Sequence, residues 1–414
     1  MIMILRVLLW IVPILLFPIE IGRAFEQTVP MIGKEFPISV RAGEEEEDPV
    51  AAWDGHHALI VWQSTRNGLR RVYGAQLTPA GERIQKEGFP VSSSASQQLF
   101  PMLAWGEKHY LVVWQDLRRR KNLEIFGRLI DAGGRPLDSG DIPIGVGAAN
   151  RKHPVTAWNG ENFLVVWTEE SAGTGWDIVG ARVTPGGKVL DPKGISISRE
   201  KGDQTSPAVV WNGRDFVVVW MDGRLDQSKD IYGARVDRKG NLLDPAGISV
   251  ASLPGEQGFP AVAWNGKHVI VVWVDRRDGA QYTLYGARID SKGKALEPNG
   301  APLSTTPRFH MFPDIACRNK ECLVIWEEEN GSKEKMTGIQ DVVRDINGIR
   351  LKDSEKAFSS RAAEPLYPRT TFVSRSFGNH FAKVSTDGRR FLLVWKDYRS
   401  GLAASLGRWI EFPP

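Results

Sequence analysis

The chain has 414 residues, a formal net charge of +4, 15 Trp and 2 Cys. So mild a charge excludes the dense basic stripe of a nucleic-acid protein, and no nucleic acid is expected as a partner. Length alone would suggest two or three domains, a count that an internal repeat overrides.

Residues 1–24 read as a secretory signal. Arg6 supplies the positive start, Val7 to Ile19 an apolar run and Gly22-Arg23-Ala24 a small-residue cleavage site. The run is short and broken by Pro, so no stable membrane span is expected; an uncleaved anchor is the alternative. No Cys lies near the site, which excludes a lipid anchor through an N-terminal Cys. The mature chain then starts near Phe25, and its compartment is the periplasm or the cell exterior. After a lead-in over 25–35, residues 36–40 (FPISV) form a short strand. The acidic run Glu44 to Asp48 reads as a solvated loop. A cation site is the sharper alternative, but calcium sites space their oxygens around a Gly turn, and five consecutive acids do not. No metal or cofactor is assigned.

From Pro49 onward the chain repeats. A V-V-W run ends in Trp62, Trp114, Trp167, Trp220, Trp273, Trp326 and Trp395, at a spacing of 52 or 53 residues until the last, which is 69. An earlier Trp recurs at Trp53, Trp105, Trp158, Trp211 and Trp264, and Pro precedes it in each of these copies. A fixed period near 50 marks a propeller or another repeat array. In the copy at 207–259, Pro207 to Trp211 is followed by an Asn212-Gly213 turn. Phe216 to Trp220 is an apolar run, Ile231 to Val236 alternates, and Ile248 to Val250 is short. Four antiparallel strands without helical period make a blade.

The expected fold is therefore an all-β, seven-bladed β-propeller. Its blades lie near 49–100, 101–153, 154–206, 207–259, 260–312, 313–367 and 380–411, all in one domain over 25–414. The last copy lacks its fourth strand, and 36–40 matches the missing piece (compare Gly247 to Val250). The N-terminal strand thus closes the ring by completing the C-terminal blade, which removes exposed edges.

Within this frame, 12 of the 15 Trp fill repeat slots and serve packing between blades. Trp176 does not. It lies in a loop of blade three where no other copy has Trp, which makes it a ligand candidate beside its reading as local packing. The two cysteines, Cys317 and Cys322, flank a hairpin in blade six and are close enough on opposed strands for a disulfide. The extra length before blade seven falls at about 354–380, either a binding insertion or drift in a terminal blade. The basic run Arg118 to Lys121 reads as a solvated turn.

Loops joining strands two and three, and those joining blades, surround one mouth of the axial channel. The first set repeats an acid and an Arg: Asp116 and Arg118, Asp222 and Arg224, Asp275 with Arg276 and Arg277, Asp397 and Arg399. An Asp just past a strand caps a turn with Arg bracing it; ligand binding is the alternative for Arg118, Asp222, Arg224, Asp275 and Arg276. The second set offers Gln97, His153, Gln204, Gln257 and His310, of which His153 and His310 are candidate ligand-binding residues. No metalloprotease, nucleophile-elbow or phosphate-loop motif is present. No catalytic residue is assigned, and whether the chain is an enzyme stays open.

The stretch Ala157 to Trp167 (AWNGENFLVVW) and Asp177 to Val183 (DIVGARV) resembles repeats of secreted bacterial β-propeller proteins. The likeness covers about 37–411. It implies the fold and is nearly silent on function, since most such proteins carry no assigned activity. Sialidase, WD and kelch signatures are missing, so no site residue is carried over. The reading is an exported, monomeric binding or scaffold propeller that meets a glycan or a protein at the channel mouth. The alternative is a carbohydrate-active enzyme using Glu169, Asp222, Asp275 or Glu327.

Overall fold

The computed structural model describes residues 30–39, 44–119, 121–225, 228–277, 279, 281–304, 306, 308–336, 339–352, 358, 369–377, 381–399 and 401–413, with side chains of 330–342 and 375–377 left aside. Residues 1–24, read above as a secretory signal, and most of 354–380 lie outside them. Seven antiparallel sheets form, one per repeat, and no sheet is shared between repeats except at the ring closure. The chain is a seven-bladed β-propeller.

Blade four shows the plan. Its strands, from the axis outward, are Gln204–Trp211, Phe216–Asp222, Asp230–Val236 and Ile248–Ala251. The second strand is buried on both faces because neighbouring blades cover it. Leu164, Val166 and Ile178 of blade three pack on Phe216, Val218 and Trp220 of blade four, and the same interleaving recurs around the ring. All seven Trp of the V-V-W slot are buried to within 2 % of full exclusion. Each contributes about 4–6 kcal/mol of transfer free energy before entropy is charged against it. At the far end, Asn159, Asn212 and Asn265 accept the N–H groups two and three residues on, which is why Asn-Gly turns the first hairpin. The third-to-fourth connections end in a Gly with positive φ; at Gly88 a Cβ would stand 2.8 Å from the Trp62 ring.

Closure follows the expected route and goes further. Blade seven supplies Lys383–Thr386, Phe391–Asp397 and Ala404–Glu411. Phe36–Ser39 pairs with the last of these, and Met31–Ile32 pairs with the same strand nearer its end. The C-terminal tail adds a second strap: Arg318 and Arg350 of blade six donate to the carbonyls of Phe412 and Pro413.

Two features depart from the spacing argument. The Pro of each early copy does not open the inner strand, which begins three residues earlier, as at Gln98, Arg151 and Gln204. Pro has no N–H to give the ladder, so it sits in a β-bulge, where register slips between Leu99 and Met102 and at five equivalent places. Blade six is the other departure. Its middle strands, Glu321–Met336 and Ile339–Leu351, run well past the seven to nine residues usual here, and its outer strand is Thr370–Phe377. Cys317 and Cys322 face each other across its first hairpin and form the disulfide.

Candidate functional site at the channel mouth

Two concentric layers of side chains surround the mouth. The outer layer is a ring of clamps. In blade four the buried Asp222 accepts from the Trp220 indole at 2.7 Å and from the Arg224 backbone and side chain at 2.8–2.9 Å. Arg224 in turn lies 4.2 Å over the Tyr232 ring. Every acceptor on the carboxylate is thus used internally. Asp116 with Trp114 and Arg118, Asp275 with Trp273 and Arg277, and Asp397 with Trp395 and Arg399 repeat the arrangement. Burial pushes the Asp116 carboxyl up, but hydrogen bonds from Arg118, Trp114 and Ser96 outweigh it and hold it below the usual range.

The remaining blades keep the clamp and change the donors. Glu169 of blade three takes the Trp167 indole at 3.2 Å and Arg151 at 2.6 Å, the Arg coming from the inner strand. Glu328 of blade six takes the Trp326 indole at 3.2 Å, and its Arg is Arg369, far along the chain. Arg308 lies 3.5 Å away. Burial raises the Glu328 carboxyl, yet hydrogen bonds from His310, Trp326 and Arg369 prevail and set it at about 2. Blade one carries Ser64 where the acid belongs, and the carboxylate comes across the hairpin from Glu46, which accepts from Ser64 Oγ at 3.0 Å and lies 3.9 Å from Arg66. Burial keeps the Glu46 carboxyl raised against these partners.

His310 belongs to this clamp layer. It is fully buried, with Nδ1 3.0 Å from the Tyr282 carbonyl and Nε2 within 3.1 Å of Ser304 and Thr306. A carbonyl only accepts, so Nδ1 carries a proton. Arg276 stands apart from its neighbour: Arg277 makes the clamp, while Arg276 reaches the Gly279 carbonyl and lies 5.8 Å over Tyr282. The slot the sequence placed at Gln97 is filled by Gln98, which accepts the Val72 N–H and ties blade two to blade one.

The inner layer is a collar around the axis. Asp48, Phe100, His153, Ser206, Phe259, Phe312 and Phe381, one from each blade, all have φ between 44° and 53°. Six of them precede Pro within the bulges. A bulky L-residue there costs about 1–2 kcal/mol relative to Gly, yet five of the seven are aromatic. Phe259, Phe312 and Phe381 form a run with ring centroids 5.0 and 4.7 Å apart. Phe100 meets His153 edge-on at 5.5 Å. Gln63 and Gln115 fix the next blade's bulge by accepting the Phe100 and His153 N–H groups at 3.0 and 2.7 Å.

Part of this collar opens into a mostly apolar cavity of about 170 Å³, walled by Asp48, Phe100, His153, Phe381 and Lys383. Phe100 and Phe259 remain 41 % and 37 % exposed. Charges here are compensated. Lys396 contacts Glu47 at 3.2 Å and Asp48 at 3.9 Å, and Lys383 lies 3.6 Å from Asp314. Desolvation by the packed surroundings, with Lys152 beside it, lowers His153 below its usual value. Water still reaches its ring from the channel.

Trp176 lies outward of His153. It is not in a loop, as the sequence suggested, but in the third strand of blade three, Gly175–Val183, opposite Glu170, because the hairpin ladder runs to its tip. Its backbone N–H donates to Asp203 at 3.2 Å, and Lys152 covers its ring at 4.1 Å. The structure therefore brings His153, Lys152 and Trp176 into one path from collar to rim. It sets His310, Asp222, Arg224, Asp275 and Arg118 in the clamps. The aromatic collar was missed in sequence, although one signal was available: the residue before each repeated Pro.

Among the described residues no group of three or more His, Cys, Asp or Glu could hold a metal ion, and no helix is long and apolar enough to cross a membrane. No family model and no curated protein matches the sequence. Solved structures do. The α-L-arabinanase of Penicillium chrysogenum complexed with arabinobiose aligns at 12 % identity and a TM-score of 0.51, over 75 % of this chain and 92 % of that one. A neuraminidase-like protein of A/little yellow-shouldered bat aligns at 10 % identity and 0.46, over 93 % and 100 %. Identities this low speak for the fold alone.

Proposed function

We propose that this is an exported binding propeller that meets a glycan or a protein at the channel mouth and does not transform it. One observation carries the reading: the collar holds large rings, partly exposed, in a backbone conformation that favours Gly. Packing alone gives little reason for that choice. The clamp carboxylates support the non-catalytic half. Glu169, Asp222 and Asp275 each accept from a Trp and an Arg, and Glu327 is fully buried in register with Met311 and Ile346. A general acid or base needs a carboxyl that reaches substrate, and these face inward.

The experiment is a glycan array together with a pull-down from the native envelope, using the wild-type protein, His153→Ala and Trp176→Ala. Binding that falls at least tenfold in His153→Ala places the ligand at the mouth. Binding unchanged in both variants removes the mouth from consideration. Turnover of a bound glycan by the wild-type protein overturns the non-catalytic reading.

A further inference from the structure

We infer that the collar is a receptor for one uncharged sugar ring, the terminal residue of a neutral glycan, entering end-on along the axis. The inference rests on the mouth reading above and narrows it to a ligand class.

Three observations converge. First, the collar has two unlike arcs. Blades five, six and seven give the contiguous apolar arc of Phe259, Phe312 and Phe381; blades one to four give Asp48, His153 and Ser206, with Phe100 between the first two. A pyranose or furanose is amphipathic in the same sense, with a face of C–H groups and a rim of hydroxyls. Second, the arrangement is electrically balanced. Asp48 faces Lys396, Lys383 faces Asp314, and His153 has neighbours that disfavour its charged form. An ionised ring inside the cavity would find no excess of opposite charge on its walls to offset its desolvation, which argues against a uronic or sialic acid as the residue held there. Third, the cavity is about 170 Å³, below the roughly 300–1,000 Å³ that drug-sized ligands fill. Its own walls pair the rings of Phe100 and Phe381 with the polar Asp48, His153 and Lys383, while Phe259 and Phe312 lie outside it, so it takes a single ring.

The cost of the backbone makes the inference testable. A residue that fills the collar only as packing stabilises the fold, and its removal lowers Tm. A residue kept for a ligand against backbone strain can be replaced by Gly with no loss of Tm. Phe100, 41 % exposed, lines the cavity and Phe259, 37 % exposed, does not, and Phe100→Gly and Phe259→Gly separate the cases.

Calorimetry and saturation-transfer NMR on the full-length exported protein would use methyl glycosides of glucose, galactose, mannose, xylose and arabinose. The acidic probes are methyl glucuronide, methyl galacturonide and sialyllactose. The expected result is a neutral glycoside binding with Kd of about 1 mM, in keeping with so small a ligand. Phe100→Gly, on the cavity wall, should weaken it tenfold or more and Phe259→Gly, outside the wall, much less, with Tm unchanged or raised in both. Acidic probes binding equally well, or affinity untouched in Phe100→Gly, overturns the inference. So does a Tm that falls by several degrees together with affinity. A protein partner or acidic glycan whose binding still fails in His153→Ala would leave the mouth reading standing and sink this one. Binding that ignores every mouth variant sinks both.

Discussion

The clamp ring and the collar occupy neighbouring radii of one mouth, yet the seven copies treat them differently. In the clamp every described blade ends with a Trp beside a carboxylate and an Arg, even where the donors have moved along the chain, as with Arg151 and Arg369. In the collar the backbone is the constant, with φ near 50° in all seven copies, while the side chain varies from Asp to Ser to Phe. A repeat is its own control. What every copy rebuilds by whatever residues are at hand serves the ring itself. A backbone position that is costly and constant, but filled differently, is where the proposed ligand would be met.

The largest expected effect breaks the clamp. Asp222→Ala leaves the Trp220 indole and the Arg224 guanidinium buried without their acceptor, and should cost about 3 kcal/mol. The check is a urea denaturation midpoint measured beside Phe259→Gly, which should move little. Equal losses in the two variants would erase the distinction between the layers.

Blade six sharpens the comparison through pH. Glu328 is held at about 2, against an ordinary 4.5. Its stabilising contribution is therefore complete above pH 4.5 and disappears as pH falls toward 2. By linkage it amounts to about 3 kcal/mol. Glu328→Gln should lose that much at pH 7, and the gap between wild type and variant should narrow steadily below pH 4.5. A gap independent of pH would mean that shape, not charge, holds Arg369 and His310.

How much of this was legible follows from where the partners lie. The fold and its closure could be read because a fixed period and a displaced fourth strand survive in one dimension; Phe36 and Ile38 match Ile248 and Val250 directly. Four clamps were visible as Asp-x-Arg, since donor and acceptor sit two residues apart. The clamps of blades one, three and six were not, because Glu46 and Arg151 are brought in by strand register and Arg369 from just before the outer strand of blade six. The collar left a weaker trace. Gly or Asn before Pro would have announced a left-handed turn, whereas Phe100 and Phe259 look like ordinary strand residues. His153 and His310 seemed equivalent by their nearness to Pro, yet they stand one and three residues before it and so fall in different layers.

The smallest expected effect tests whether the clamp is defined by position or by chemistry. Blade one has exchanged its partners, with Ser64 on the second strand and Glu46 opposite it on the inner one. Ser64→Asp alone sets two buried carboxyls against each other, as the raised Glu46 carboxyl already disfavours charge there, and should cost about 1–2 kcal/mol. Glu46→Gln alone removes a carboxylate that burial disfavours and should cost less than about 1 kcal/mol. The double variant restores the arrangement of blade four, with a carboxylate two residues past Trp62 and beside Arg66, and should return to within about 0.5 kcal/mol of wild type. The coupling read from this double-mutant cycle is then about 1 kcal/mol. If the two substitutions simply add, blade one is not a transposed clamp, and the sevenfold uniformity of the outer layer stops at six.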